Sequence, residues 1–179
     1  PLLAGKEEEA IEIAENEILA YGDIYKRNWL NGMMGKLGIF NQEAEDEELF
    51  EALLKIMEKH KGDYTNTFLS LTFDEFPKEP LFEAAEFKKW HSKWLSRLDR
   101  QEESKAKSQE LMGNSNPALI PRNHLVEEAL EMIVTKGDYG KMKELLDVLV
   151  NPYAHTPEQA KYATPPSPSN CVYQTFCGT

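Results

Sequence analysis

Cysteine is nearly absent from this chain of 179 residues: only Cys171 and Cys177 occur, both within the last nine positions. Two thiols so close to one end cannot form the disulfide framework of a small secreted domain, so a reducing, cytoplasmic setting is expected. Long apolar runs are missing as well. No stretch approaches the roughly 20 residues a membrane-spanning helix requires, and no charged-then-apolar leader stands at the front. Basic charge is scarce: 31 acidic residues stand against 20 basic ones, giving a formal net charge of -11. That charge repels phosphate backbones and anionic lipid alike, which excludes nucleic acid and membrane surfaces as expected partners. The chain opens at Pro1 without an initiator methionine, a start that a secreted or processed product and a fragment of a longer polypeptide would share.

Metal-ligand spacing is also missing. Neither His-Glu-x-x-His nor Cys-x-x-Cys occurs, and His60, His91, His124 and His155 are too widely spaced to pair as ligands, so each reads as an ordinary surface or core histidine. The one glycine-rich stretch, Gly32-Met33-Met34-Gly35-Lys36-Leu37-Gly38, lacks the spacing, the hydroxyl after its lysine and the preceding strand of a phosphate loop. It reads as a helix end capped by glycine. Carboxylates are plentiful, but Asp46, Glu47 and Glu48, like Asp74 and Glu75, have flanks that look solvent-facing, so nothing shifts them toward acid–base work.

What is present is helical periodicity. From Lys6 to about Leu37, the residues Ile11, Ala14, Ile18, Tyr21, Tyr25 and Trp29 recur at three- and four-residue steps along one face, although Gly22, Gly32 and Gly35 argue against an unbroken helix. The segment Asp46 to Lys61 carries Phe50, Leu53, Leu54 and Met57 on one stripe. Beyond Pro77 and Pro80, Phe87, Trp90, Trp94 and Leu98 form another, and a stripe of aromatics at helical spacing reads as core. Residues 100 to 112 are polar, the expected tail of that helix running out into solvent, and Gly113 to Pro117 reads as a loop. Two further helices follow Pro121, marked by Leu125, Ala129 and Met132 and then by Met142, Leu145, Leu146 and Leu149. The string Lys-Gly-Asp-Tyr, at Lys61 to Tyr64 and again at Lys136 to Tyr139, predicts two tight helix-to-helix corners with Gly in the left-handed position and Asp as N-cap.

No segment alternates as a half-buried strand does, so the fold class is all-α. The expected organisation is a helical domain over 1–150, divisible into 1–112 and 117–150, followed by an extended, Pro-rich tail over 151–179. Cys171 and Cys177 are the only pair with plausible reactivity, because thiols on a terminal tail can reach an oxidant or a second thiol.

Several blocks carry a resemblance. Asn116-Pro117-Ala118-Leu119-Ile120-Pro121-Arg122-Asn123-His124, then Glu127-Glu128-Ala129 and Gly137-Asp138-Tyr139, resemble the "NP-x-x-x-x-RN" block of the selenoprotein O (SelO/YdiU) family of protein adenylyltransferases. The likeness runs on through Asn151-Pro152-Tyr153, Pro165-Pro166 and Tyr173-Gln174-Thr175-Phe176-Cys177-Gly178-Thr179; upstream it includes Lys36-Leu37-Gly38 and Asp63-Tyr64-Thr65-Asn66-Thr67-Phe68. In residue terms, Pro117 and Pro121 set a rigid approach, and Arg122 or Asn123 is placed to tie the first turn of the next helix.

The resemblance implies a protein-kinase-like fold that binds ATP with magnesium in a flipped orientation and transfers AMP to hydroxyl groups of other proteins. It implies that the nucleotide- and metal-binding residues precede this region, so none is assigned to this chain, and that the chain is the helical C-terminal part of the enzyme, inactive alone. Its partners would be the kinase-like domain of the same polypeptide and the enzyme's protein substrates. The resemblance also implies a redox-linked cysteine near the C-terminus, for which Cys177 is the counterpart. The ending Cys177-Gly178-Thr179 departs from the Cys-Ser-Ser-like or selenocysteine ending of other members. Aromatic stripes including Trp29, Trp90 and Trp94 are then expected to cover the missing lobe as well as the local core, leaving a patch that can drive homodimerisation of the isolated portion. The alternative is a stand-alone acidic helical module with grooves for a partner helix.

Overall fold

The computed structural model describes residues 7–166. Among these the chain forms nine helices and no strand, so the fold is all-α. The first helix, α1 (Glu7–Lys36), runs for 30 residues without interruption. The expectation that glycines break it is therefore corrected. Gly22 and Gly32 face open space, and the modest cost of each is borne by the good helix formers around it. Gly35 permits close packing: a Cβ there would lie 2.8 Å from Ser115 Oγ. The helix ends as its glycines predict. Gly38 takes a left-handed φ of 71°, its amide donates to Gly35 O, and the Ile39 amide donates to Met34 O, which satisfies the last carbonyls.

Helices α2 (Asp46–Lys59) and α5 (Ala85–Leu98) lie antiparallel, since the start of α2 meets the end of α5 at Asp46 and Arg97 while His60 meets Glu86 at the other end. Between them come α3 (Tyr64–Phe73) and the single turn α4 (Pro80–Glu83). The core gathers Leu30 and Met33 of α1 with Leu37 just beyond it, Phe50, Leu53 and Met57 of α2, and the aromatics of α5. Trp90 and Trp94 are buried here, so they fill this body's own core and offer no face to a further lobe. Their indole N–H groups donate to Leu49 O at 2.8 Å and Leu37 O at 3.0 Å, the polar handle a buried tryptophan needs.

Asp46 overturns the solvent-facing reading: it is 1% exposed and forms a forked pair with Arg97, itself 2% exposed. Arg97 Nε donates to Asp46 Oδ1 at 2.7 Å and Nη2 to Oδ2 at 3.0 Å, while Nη2 also donates to Asn41 O. The Glu43 amide caps the same carboxylate at 2.7 Å. At its rim, Arg100 Nη2 donates to Glu43 at 2.6 Å. Glu47 and Glu48 are not buried, and Asp74 and Glu75 are exposed.

The polar stretch after Leu98 also differs from expectation. Instead of fraying, the chain turns and forms α6 (Lys105–Ser115), capped by Ser104, which takes in Gly113 to Ser115 of the segment expected to be a loop and leaves Asn116 and Pro117 outside the helix. Its buried contacts come from small and flexible residues, Ser108 and Met112, so it carries little apolar periodicity to read. It packs on α1 and α3.

The two Lys-Gly-Asp-Tyr corners are built differently. At the first, Lys61 rather than Gly62 is left-handed, with φ 54°, and Gly62 is required because a Cβ would meet Leu81 Cδ2 at 2.5 Å. Asp63 caps α3, accepting from the Asn66 amide at 2.9 Å. At the second, Gly137 is left-handed at φ 64° as expected, but Asp138 accepts from Gly140 within the turn and Tyr139 holds the N-cap position. Helices α7 (Asn123–Lys136) and α8 (Gly140–Leu149) form the antiparallel pair read from the sequence. Within the stretch expected to be extended, α9 (Pro157–Ala160) makes one turn, with Pro157 tolerated in its first turn and a capping box between Thr156 and Gln159.

His91 completes the aromatic core, facing Phe76 and Phe87 at ring distances of 5.2 and 5.9 Å and Trp94 at 5.3 Å. Its Nε2 is buried without a partner. Burial holds its pKa below the ordinary histidine value; Asp74 opposes that shift and Lys105 reinforces it.

Two outcomes follow from this core. Replacing Arg97 by Met strands a buried carboxylate and lowers the unfolding free energy by about 3 kcal/mol or more, read from urea titration; Arg100→Ala, at the exposed rim, leaves the midpoint nearly unchanged. His91 binds its proton more readily unfolded than folded, so its contribution to stability is complete above the ordinary histidine pKa and is lost as pH falls below it. The drop in melting temperature between pH 7.5 and 5.5, values bracketing a histidine pKa of about 6.5, is thus smaller in His91→Phe than in the parent chain.

Candidate interaction surface

A helix buries one stripe against its own body. In α1 that stripe is Leu30 and Met33, continued by Leu37 just past the helix end. Earlier in the same helix, Ile11, Ala14, Ile18, Tyr21 and Tyr25 form a second stripe, displaced from the first by about a third of a turn at 100° per residue. Ile13 and Ile24 widen it, and Glu8, Glu12, Glu15 and Asp23 occupy the opposite side. None of these apolar side chains is buried: Ile18 is 73% exposed and Tyr21 65%. From Glu7 to Asn28 every residue except the half-buried Ala10 and Ala14 is exposed, a projecting length of about 33 Å at 1.5 Å per residue. Tyr21 and Tyr25 stack on each other at 6.2 Å, and Lys26 reaches Glu47 at 2.9 Å where the helix meets the body. Trp29, at the junction of the two stripes, packs edge-on to Phe50 at 6.2 Å.

The sequence blocks that carry the family resemblance serve as internal latches. Arg122 does not tie its own helix. Its Nη1 donates to Asp63 Oδ2 at 2.5 Å and its Nη2 to Asp63 Oδ1 at 2.9 Å and to Ala163 O at 2.9 Å. One guanidinium thereby joins the N-cap of α3 to the segment after α9. Burial alone would raise the pKa of Asp63, but the bonds from Arg122 and the Asn66 amide hold it below the usual carboxylate range. Asn116 donates from Nδ2 to Lys36 O at 2.9 Å and to Thr72 Oγ1 at 3.0 Å, joining the ends of α1, α3 and α6. Lys36 answers with its ammonium, donating to Asn116 Oδ1 and Ser115 O and lying 5.2 Å above the Phe68 ring. Burial lowers its pKa. The Ala118 amide donates to Pro152 O at 2.7 Å, and Gln159 Nε2 donates to Asn151 O at 2.6 Å, so residues 151–163 are fastened to the helices. No spacing rule finds the latches of Arg122 and Asn116, because their partners lie 41 to 80 positions away; Asp63 and Asn116 as cap and loop residues were the visible half.

The remaining candidates fall apart in space. His60 pairs with Glu86 beside Lys59, His155 meets Gly113 O at 2.9 Å, and His91 sits in the aromatic core. Cys171 and Cys177 lie outside the described residues. Among the described residues no group of three or more His, Cys, Asp or Glu side chains gathers to hold a metal ion, and no helix is long and apolar enough to cross a membrane. The Gly32–Gly38 stretch spends its terminal amides on closing α1, leaving no cradle for phosphate.

The sequence profile described as protein adenylyltransferase SelO matches residues 7–150. Three curated relatives, each a protein nucleotidyltransferase YdiU, align with all 179 residues. They are 55% identical in Alkaliphilus metalliredigens, 56% in Bacillus cytotoxicus and 58% in Clostridium botulinum. The chain spans 36% of the length of each. The profile covers α1 through α8, the relatives cover the latches and both ends, and on that ground the chain belongs to the SelO family of protein adenylyltransferases.

Proposed function

We propose that this chain is the helical C-terminal part of a protein adenylyltransferase that moves AMP from ATP to hydroxyl side chains of other proteins, and that its task is to pack on and hold a kinase-like catalytic region upstream. One observation carries the reading: a chain matching 36% of its relatives' length carries on α1 an apolar stripe that its own body leaves uncovered. Exposed apolar patches of that kind mark interfaces. The upstream polypeptide is the natural cover, because α1 enters the body from that side. In this reading ATP and magnesium belong to the upstream region. A cytoplasmic location is part of the same proposal and rests on the scarcity and placement of cysteine. Homodimerisation of the isolated chain through α1 would be a consequence of removing its cover.

Calorimetry tests the division. Titrated with ATP in the presence of magnesium, the 179-residue chain gives no saturable heat, whereas a polypeptide extended upstream to the full length of the relatives binds stoichiometrically. Saturable binding by the short chain would place a nucleotide site within it and overturn the reading.

A further inference from the structure

Between Glu7 and Tyr25, α1 carries seven acidic residues and no lysine, arginine or histidine. The first basic side chain of the helix is Lys26, which is spent on Glu47 where α1 meets the body. Most of these carboxylates stand on the side away from the apolar stripe, where water solvates them.

Glu17 does not. At about 100° per residue it falls inside the widened stripe, between Ile24 and Tyr21 around the helix. Its neighbours one turn before and after it are Ile13, Ala14, Ala20 and Tyr21, none of them charged. The glutamate is exposed and makes no ion pair among the described residues, and α1 offers it no cation within a turn. Glu7 heads the same stripe one turn ahead of Ile11. Ile13 is 40% exposed and Ile24 41%, so the apolar surface around Glu17 is open to contact.

Any surface laid on this face takes water from Glu17 together with Ile13 and Tyr21. A carboxylate moved out of water without a partner is costly, and a lysine or arginine brought against it offsets much of that cost. A second copy of α1 brings no such group, because it sets one wholly acidic segment against another. The charge pattern therefore selects a basic cover.

We propose that the surface of the upstream polypeptide that covers α1 is apolar with a lysine or arginine set within it, placed to meet the Glu17 carboxylate. The proposal rests on the reading of α1 as the contact with the upstream region, and it names what that contact contains. Burial of the stripe supplies the affinity. The ion pair fixes how far along α1 the cover sits and disfavours a second copy of this chain, whose pairing then needs salt to screen the acids.

Hydrogen–deuterium exchange over residues 8–25 of the full-length polypeptide tests this, with the parent compared to Glu17→Gln and Asp23→Asn. Each substitution removes a charge at nearly constant shape and helix propensity. Glu17→Gln strands the upstream cation and speeds exchange about tenfold or more. Asp23→Asn, on the side away from the stripe, leaves exchange nearly unchanged. The sign decides: beneath a neutral cover the parent carries the unpaired charge, and Glu17→Gln slows exchange or leaves it as it was. Either result overturns the proposal while the cover over α1 stands. An equal effect from Asp23→Asn also overturns it, since net charge would then be the cause. Rapid exchange in the parent overturns both the proposal and the reading beneath it. In sedimentation velocity at about 0.01 M salt, where charges act over about 30 Å, the 179-residue chain runs as a monomer. A stable dimer there would assign α1 to a second copy and overturn the proposal.

Discussion

The fork between Arg97 and Asp46 fixes the body on which everything else is arranged. Two ions out of water are costly, and a buried pair contributes little net stability over a well-packed apolar alternative. What it supplies is position. The guanidinium reaches the carboxylate through two nitrogens and the Asn41 carbonyl as well, so the loop before α2, the start of α2 and the end of α5 can meet in only one way. With that crossing set, Trp90 reaches Leu49 O and Trp94 reaches Leu37 O.

The same device recurs where the chain joins distant segments. Arg122 bridges the cap of α3 to Ala163, and Asn116 bridges α1 to α3. The residues by which the chain resembles its family thus do architectural work here, holding helices in register. Against this fastened body α1 stands out. Its last two turns are fixed by Leu30, Met33 and the capped end at Gly38, and its first turns, about six of them, project with an apolar stripe turned to another side. A helix with two apolar faces is suited to join two bodies.

Much of this was legible in the residue pattern. The aromatics of α5 and the stripe Phe50, Leu53 and Met57 announced the core, Asp63 announced a cap, and Gly137 a left-handed turn, because each signal is local and has one physical meaning. Three features were not. Asp46 read as a solvated first-turn acid because its partner lies 51 residues away. Helix α6 was hidden because Ser108 and Met112, not a leucine stripe, carry its burial. The continuity of α1 was obscured by glycines whose cost a 30-residue helix tolerates, one of them needed for the approach of Ser115. The stripe from Ile11 to Tyr25 was seen, but periodicity cannot say which body it faces. The reactive thiols proposed at Cys171 and Cys177 lie outside the described residues.

Hydrogen–deuterium exchange over residues 8–25 tests the central claim most directly. In the 179-residue chain these amides should exchange rapidly, because from Ile11 to Tyr25 every residue but the half-buried Ala14 is exposed among the described residues. In the full-length polypeptide they should be protected to the same degree as those of Leu30 and Met33. Equal and rapid exchange in both would mean that the upstream region does not cover α1, and the account of this chain as the packed C-terminal part of the enzyme would fail.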